Sequence, residues 1–205
     1  GGFLDAFGYP FCRGRILDTI EQDDGQYDTS RDVFWASGAC MMVRADVFRK
    51  LGGFDGDFFA HMEEIDFCWR AQLAGYRIMV EPRSRVFHLG GGTLPNNSPR
   101  KLYLNYRNNL SMLYKNLSKL TLWPLLFTRM VLDGMSAFVF LMQGRRDFFK
   151  VVFRSHMDFY KILGMLRAKR RAIQRDRTGS AAGNIYRGSI ILRHALGRRT
   201  FGRMM

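Results

Sequence analysis

The stretch Gly53-Phe-Asp-Gly-Asp-Phe-Phe-Ala-His-Met-Glu-Glu-Ile-Asp-Phe-Cys-Trp-Arg70 concentrates more reactive side chains than any other part of the chain. Three carboxylates, Glu63, Glu64 and Asp66, fall within four positions of it. Acidic side chains that stand together among apolar ones repel each other and lose hydration, which shifts their pKa values. In a chain that is otherwise strongly basic, this concentration indicates a task for one of the acids. Proton abstraction is the task that a carboxylate with a tuned pKa performs.

The same stretch predicts a helix over residues 62–73. On this helix Glu63, Asp66 and Arg70 share one face, whereas Glu64 points about a quarter-turn away. Asp66 and Arg70 can then form a structural ion pair while Glu64 faces elsewhere. The acids also lie in the first turn of the helix, where the backbone N–H groups favour negative charge. A purely structural role is therefore the ordinary alternative for any one of them.

The first half of the chain predicts alternating short strands and helices, which is typical of an α/β layer structure. Residues 1–33, rich in Gly, Asp and aromatic side chains, predict loops and short strands. Further elements are predicted as a strand over 35–44, a helix over 46–51, and strands over 76–80 and 85–89. Gly38 interrupts the first of these strands, and we expect another backbone or a ligand to approach closely there.

The net charge of +14 is unevenly distributed along the 205 residues. Residues 1–95 carry 10 Lys and Arg against 14 Asp and Glu, and residues 96–205 carry 22 against 4. This asymmetry predicts two parts with different partners. The segment 94–99, which contains Pro and Asn, is the predicted boundary. A hydrophobic content of 47% is that of a folded protein.

The three cysteines, Cys12, Cys40 and Cys68, are far apart in the sequence. Their spacing predicts neither a zinc site nor a disulfide framework, so reduced thiols in a cytosolic setting are expected. The first residues show no basic leader and no long apolar run, so no signal peptide is predicted. The beginning of the chain indicates a part of something longer.

Beyond the boundary the periodicity is helical. Residues 120–142 are mostly apolar, and their two charged members, Arg129 and Asp133, are four apart and can pair on one face. In a bilayer each of these charges would cost about 2.5–3.5 kcal/mol, which favours a helix that is buried or lies on the membrane over one that spans it. Residues 147–171 predict an amphipathic helix with a basic polar face.

Several short motifs occur together in a fixed order. They are Trp35-Ala-Ser-Gly-Ala, Gly53-Phe-Asp55, Phe58-Phe59, Glu63-Glu-Ile-Asp66 followed by Arg70, Gly75-Tyr76 and Val86-Phe-His88. In this order and spacing they resemble the second half of the catalytic domain of glycosyltransferase family 2, above all the rhamnosyltransferase-like bacterial enzymes of surface-polysaccharide synthesis. Residues 98–110 and 114–117 resemble the segment that follows in these enzymes. The resemblance covers residues 1–120 well and the rest loosely.

The resemblance implies a role for each matching residue of the acidic cluster. Glu64 stands where the family usually has Asp, the general base that takes a proton from an acceptor hydroxyl in an inverting displacement. The longer side chain moves the carboxylate by about one methylene without changing the chemistry. Glu63 and Asp66 match the flanking acids, which orient the site. His88 matches a histidine that binds the metal or the diphosphate in some relatives, although a histidine at a strand end is as often a plain hydrogen-bonding residue.

The resemblance also implies an acceptor pocket lined by Trp35, Gly38 and Ala39, with Asp55 near the acceptor. The alternatives are an ordinary core strand for the first three and a structural turn for Asp55. In the family, a nucleotide-sugar donor and a divalent metal, Mn or Mg, are held by an N-terminal Rossmann-like half that ends in Asp-x-Asp. No such motif stands at a predicted strand end here, since Asp55-Gly-Asp57 belongs to the turn.

The resemblance therefore predicts an α/β fold in two parts. Residues 1–95 are expected to form the acceptor-side half of a GT-A (Rossmann-like) domain whose nucleotide-sugar half is missing, so that the isolated chain binds nucleotide-sugars poorly and catalyses little. Residues 96–205 are expected to form a basic amphipathic helical region. The implied acceptor is a lipid-linked saccharide, and basic helices suit the anionic cytoplasmic face of the bacterial inner membrane, where a peripheral enzyme would lie.

Two other classes of function stay open. A sequence pI of about 10.3 is typical of a nucleic-acid-binding protein. Because the first half is acidic and the sequence has no helix-turn-helix, zinc-finger or RNA-binding aromatic motif, no nucleic-acid partner is predicted. The other class is a non-catalytic membrane-surface scaffold derived from a transferase.

Overall fold

The computed structural model describes residues 1–88, 95 and 98–202. The chain divides into two compact units that interleave along the sequence. Unit 1 comprises Gly1–Gly53, Phe67–Phe87 and Thr178–Met205, and unit 2 comprises Phe54–Asp66 and His88–Arg177. The sequence predicts a boundary of function between residues 95 and 96, and that boundary stays a prediction.

Seven short strands occur in the described residues. They are β1 (Gly2–Asp5), β2 (Pro10–Cys12), β3 (Arg15–Ile16), β4 (Thr19–Ile20), β5 (Arg31–Asp32), β6 (Met79–Val80) and β7 (Ile185–Tyr186). Five of them form one sheet in the order β4-β3-β2-β1-β7, and β5 and β6 form an antiparallel pair. Within the sheet β1 to β4 are antiparallel neighbours, whereas β7 lies parallel to β1 with Leu4 opposite Ile185.

Seven α-helices occur in the same residues. They are α1 (Ala45–Lys50), α2 (Glu63–Leu73), α3 (Pro99–Asn116), α4 (Lys119–Met142), α5 (Arg146–Lys161), α6 (Leu163–Arg175) and α7 (Ile190–Ala195). Together with the mixed sheet they confirm the predicted α/β character. The predicted helices over 46–51, 62–73 and 120–142 are confirmed as α1, α2 and α4.

The core of unit 1 is aromatic and joins both ends of the chain. Its buried members are Phe3, Phe11, Ile16, Val33, Ile190 and Phe201. The basic tail after Arg171 thus contributes β7, α7 and a core phenylalanine. Asp5 secures this junction, because its buried carboxylate accepts a hydrogen bond from the backbone N–H of Ile190 at 3.1 Å.

Unit 2 is built around α3, which the Ser98 hydroxyl caps by accepting from the backbone N–H of Lys101. Pro99 follows the cap, at the position where its missing N–H costs nothing. The second half of α3 is completely buried, from Asn108 to Asn116, against α4, α5 and α6. Polar residues on this buried face meet the turn that precedes α2, and this position makes the face part of the candidate site.

Two strand predictions are wrong. Over 35–44 only Trp35 takes part in β pairing, through a single bridge to Gly2, and Gly38–Cys40 form a 3-10 turn capped by Ser37. A side-chain hydroxyl here offers the backbone a local hydrogen bond in place of a sheet partner. Among the described residues nothing lies within 4 Å of a Cβ built at Gly38, so no described backbone approaches it closely. The segment 85–88 forms no strand, and residue 89 lies outside the described part of the chain.

Two further elements differ from prediction in their length. Within the strand predicted over 76–80, only β6 is paired. The long helix predicted over 147–171 is two helices, α5 and α6, which meet at Ile162 (φ −93°, ψ 2°). Gly164 lies in the first turn of α6, and its low helix propensity weakens a continuous helix at this point.

Candidate active site

A strained turn leads into the acidic cluster of unit 2. Asp55 caps a 3-10 turn, Gly56–Phe58, by accepting from the backbone N–H of Asp57 at 3.2 Å. The next residues include three with positive φ that are not glycine, Phe59 (65°), His61 (66°) and Met62 (73°). Each such residue costs on the order of 1–3 kcal/mol and persists only where its surroundings hold it.

One buried amide holds this turn in place. Asn108 of α3 donates through Nδ2 to the carbonyl oxygens of Phe58, Ala60 and His61 at 2.9, 2.9 and 2.8 Å. Arg107 fixes the orientation of the amide by donating to its Oδ1 at 2.7 Å. The two N–H hydrogens of this amide are therefore shared among three carbonyls that lie within four positions of the strained segment.

Replacing Asn108 by Leu is expected to lower the free energy of unfolding by about 2 kcal/mol, because carbonyls of the turn lose their donor in a buried place. Urea unfolding followed by circular dichroism measures the change. The matched control is Asn105→Leu on the same helix, where a half-buried asparagine is removed and a change within about 0.5 kcal/mol is expected. Equal losses in the two variants would contradict the role of the Asn108 amide.

Glu63 and Glu64 open α2 directly after the turn. In each of them Oε2 is buried and has no hydrogen-bond partner among the described residues. Burial, and then the negative charge of Glu63, raise the pKa of the Glu64 carboxyl. A carboxylate with a raised pKa and an unengaged oxygen is well suited to accept a proton from a neighbouring group.

His61 adds a third such group, which the sequence analysis missed. Its Nε2 is buried and, within the part of the chain that the structure describes, lacks a partner. Burial and the positive charge of Lys101 lower the pKa of the imidazole, against the opposing effect of Glu63. The ring is therefore neutral at pH 7 and can donate or accept a hydrogen bond near the two glutamates.

A fully buried lysine binds two of the neighbouring aspartates. The Nζ atom of Lys115, in α3, lies 2.6 Å from Asp55 Oδ2 and 3.0 Å from a carboxylate oxygen of Asp66. It also lies 4.6 Å from the ring centroid of Phe58, a favourable cation–π distance. The Asn116 side chain donates to Asp66 Oδ1 at 2.8 Å. Asp66, one of the predicted flanking acids, is thus completely engaged in holding α2 to α3.

Lys169 of α6 adds a second positive charge to this network. Its Nζ atom lies 2.5 Å from Asp55 Oδ1 and also contacts the carboxylate of Asp57. Burial opposes the ionisation of Asp55, but the charge and hydrogen bond of Lys115 and the hydrogen bond of Lys169 outweigh it and hold the pKa of this carboxyl well below its usual value. Asp55 and Asp57 are therefore neutralised by lysines.

The described residues do not fit a bound divalent metal. Among residues 1–88, 95 and 98–202, no three His, Cys, Asp or Glu side chains converge on one point. His88, the predicted metal ligand, is exposed, and residues 89–94, which follow it directly, lie outside the described part of the chain. Its role stays a prediction.

The predicted acceptor-lining residues Trp35, Gly38 and Ala39 lie in unit 1. Trp35 is half-buried, and its indole Nε1 donates to the carbonyl of Phe3 at 3.1 Å. Gly38 and Ala39 are exposed in the 3-10 turn, and their chain neighbours line a largely apolar cavity of about 600 Å³ in the same unit. Asp55, the fourth predicted acceptor residue, lies in unit 2 with Lys115. Acceptor binding by these four residues stays a prediction.

Four residues of the site were missed by sequence reasoning, namely His61, Asn108, Lys115 and Lys169. One signal in α3 was available. Asn108 and Lys115 recur at helical spacing with Leu104 and Ser111, so two strongly polar side chains stand on an otherwise core-like stripe. Polar groups on such a stripe need buried partners, and the nearby acidic turn supplies them.

Comparison with known proteins supports the resemblance. The model of the family described as "Glycosyl transferase family group 2" matches residues 15–144. The N-acetylglucosaminyl-diphospho-decaprenol L-rhamnosyltransferase of Mycobacterium tuberculosis is 38% identical over 88 residues, which is 43% of this chain and 28% of the relative. The rhamnosyltransferase WbbL of Escherichia coli is 39% identical over 85 residues, 42% of this chain and 31% of the relative.

An archaeal relative is similar over a shorter stretch. The low-salt glycan biosynthesis hexosyltransferase Agl10 of Haloferax volcanii is 40% identical over 64 residues, 31% of this chain and 21% of the relative. The chain spans less than a third of the length of these curated relatives. No solved structure matches it. Because the family model covers more than half of its residues, this chain belongs to glycosyl transferase family group 2.

Proposed function

We propose that this chain is the acceptor-side part of an inverting glycosyltransferase of bacterial cell-surface glycan synthesis. The observation that carries the proposal is Glu64, at the start of α2. Its carboxyl has a raised pKa and a buried oxygen that has no hydrogen-bond partner among the described residues. Family membership supports transfer of a sugar from a nucleotide-sugar donor. The Mycobacterium tuberculosis relative is named for a saccharide carried on diphospho-decaprenol. That name supports a lipid-linked acceptor for this chain as well.

In the proposed step Glu64 takes the proton of an acceptor hydroxyl. The hydroxyl oxygen forms a bond to the anomeric carbon of the donor, while the bond from that carbon to the nucleoside diphosphate breaks and the diphosphate leaves with the electron pair. One displacement inverts the anomeric carbon and needs one base. The neighbouring charge of Glu63 raises the basicity of Glu64, which brings its pKa closer to the working pH.

Two polar residues of α3, Asn108 and Lys115, position this base. Asn108 holds the strained turn before α2, and Lys115 ties both the turn and the first turn of α2 to α3 through Asp55 and Asp66. Neutral His61 stands two residues before the glutamates and can orient an acceptor hydroxyl. Among the described residues no three potential ligands converge on a metal, so the donor and the metal would be held by other residues of the full-length protein.

The location proposed for the enzyme is the cytoplasmic face of the bacterial inner membrane, where it would be peripheral. A lipid-linked acceptor has its saccharide at the membrane surface, and residues 119–175 carry twelve Lys and Arg against three Asp. Such an excess of cations attracts an anionic leaflet by on the order of 1 kcal/mol for each residue near the surface.

A transfer assay on the full-length gene product tests the proposal. Nucleoside-diphosphate sugars are supplied one at a time with a polyprenyl-diphosphate-linked acceptor, and NMR reads the anomeric configuration of the product. We expect transfer with inversion, because a single base supports a single displacement. Retention of configuration would contradict the mechanism, and no transfer from any donor would favour the non-catalytic scaffold.

A further inference from the structure

Helix α4 carries an exposed apolar row along its whole length. The members recur every three or four residues and are Leu120, Trp123, Phe127, Val131, Met135, Phe138 and Met142. Between 47% and 89% of each is exposed, and no exposed charge interrupts the row from 120 to 142. Soluble proteins seldom leave an apolar surface of this size in contact with water, so it marks a binding surface.

The two charges of this segment lie on the opposite, buried side of α4. Arg129 donates to Asp133 at 2.8 Å and to Asn109 of α3 at 2.7 Å, and His156 of α5 lies 3.2 Å from the second oxygen of Asp133. The ion pair, whose cost in a bilayer disfavours a spanning helix, is thus satisfied inside unit 2. The same contacts tie α4 to its neighbours.

By length and composition α4 is able to cross a membrane. Only 22% of its most apolar 18-residue window is buried in the protein. A crossing would, however, pull Arg129 and Asp133 away from their partners on α3 and α5, or carry those polar helices into the bilayer with it. Lying flat, α4 exposes its apolar row and keeps the ion pair where it is.

Helix α5 continues the apolar surface. Its exposed row consists of Phe149, Phe153, Met157 and Tyr160, each between 37% and 65% exposed. The hydroxyl of Tyr160 donates to the sulfur of Met130 in α4 at 3.2 Å, so this row runs beside α4. We call the two rows together the apolar surface of α4 and α5.

Cations surround the apolar surface. Lys119 stands at its beginning, and Arg145 and Arg146 follow the end of α4. On α5 a basic row lies about 100° round the helix from the apolar row. Its members are Lys150, Arg154 and Lys161, all exposed. An apolar surface with a cationic margin is the pattern of a helix that lies in a membrane interface.

We propose that the apolar surface of α4 and α5 binds an anionic bilayer with both helices parallel to the membrane plane. The apolar rows reach the acyl boundary, and the marginal cations contact lipid phosphates. A second copy of the chain fits less well, because a two-fold interface would place each cationic margin against another. This inference names the surface that makes the membrane attachment of the proposed function. It rests on that function only in assuming that the enzyme meets a membrane.

Tryptophan fluorescence with lipid vesicles tests the depth of contact. Trp123 is 63% exposed, whereas Trp35 is half-buried and Trp69 is buried, and the difference between the chain and a Trp123→Phe variant isolates the signal of the apolar surface. With phosphatidylglycerol-containing vesicles we expect a blue shift and quenching by acyl-brominated lipid. An unchanged Trp123 spectrum on vesicles that do bind the chain would overturn the proposal.

Vesicle flotation with paired variants tests which surface binds. The double variant Phe127→Ser with Phe138→Ser is expected to weaken partitioning about a hundredfold, on the order of tenfold for each phenylalanine. The control, Ile20→Ser with Phe87→Ser, removes two exposed apolar side chains from unit 1 and is expected to bind like the parent. Phosphatidylcholine vesicles are expected to bind at least tenfold more weakly than anionic ones.

Two outcomes would overturn the inference. One is equal partitioning of both double variants. The other is a dimer in analytical ultracentrifugation that the Phe127 and Phe138 changes dissociate without affecting vesicle binding, since a second copy would then cover the surface. Binding is measured without donor or acceptor, so its failure leaves the transfer assay unaffected, and a failed transfer assay leaves the binding result valid.

Discussion

Replacing Lys115 by Met is expected to lower the free energy of unfolding by about 3–5 kcal/mol at pH 7. The change removes the ammonium group between the buried carboxylates of Asp55 and Asp66, and removing one partner of a buried ion pair is among the costliest single defects. Urea unfolding measures the loss. The control is Lys169→Met, in which a partly exposed lysine is removed while Asp55 keeps Lys115, and about 1 kcal/mol or less is expected.

The same variant is expected to weaken the pH dependence of stability in acid. In the parent chain the pKa of Asp55 is lower in the folded than in the unfolded state, so its contribution is present above the unfolded value of about 3.9 and is lost as the pH falls. Without Lys115 the folded pKa of Asp55 rises, while the hydrogen bond from Lys169 continues to lower it. Stability then falls less steeply than in the parent as the pH decreases in acid. A variant that keeps the parent's slope would contradict the network.

Replacing Glu64 by Gln is expected to reduce transfer by the full-length protein 10²–10⁴-fold and, at the same time, to stabilise the fold. A glutamine amide cannot accept the proton of the acceptor hydroxyl. The pKa of Glu64 is higher in the folded than in the unfolded state, so its ionisation destabilises the fold as the pH rises. A glutamine removes this destabilisation. At pH 7 we expect Tm to increase by about 2–4 °C, and near pH 3 we expect no increase.

Two measurements, turnover and thermal unfolding, separate the parts of this prediction. The matched control is Glu63→Gln, which removes the same charge from the neighbouring position and leaves the base in place. It is expected to lower the pKa of Glu64 and to slow transfer by about tenfold or less. A fully active Glu64→Gln enzyme would show that another group is the base. Loss of activity without a gain in Tm would show that the buried, ionised Glu64 does not destabilise the folded state.

The sequence predicts the elements that are specified by neighbouring residues. The acids of α2, the short helix α1 and the long apolar α4 each have their own periodicity and end signals, and these survive in the fold. The local motif indicates an acidic cluster, and the family resemblance implies Glu64 as the general base. The division of α5 from α6 is harder to predict, because Ile162 and Gly164 give only a weak local signal against a continuous amphipathic pattern.

Partners that lie far apart in the sequence could not be predicted. Lys115 reaches Asp55 across 60 positions and Asp66 across 49, and β7 joins β1 from the other end of the chain. No periodicity or spacing in a single sequence specifies such pairs, since they depend on how α3 and the sheet are placed in space. The failed strand over 35–44 has the same origin, because a strand needs a neighbour as well as an apolar run.

The lysine network has a consequence for the order in which this protein matures. During synthesis the turn and its carboxylates leave the ribosome well before Lys115, and Lys169 follows Asp55 by 114 positions. Until both lysines arrive, the acids are better solvated in an open chain than packed together, so the segment that holds the base assembles late. A nascent chain halted before α6 would carry the complete acidic motif without its final shape.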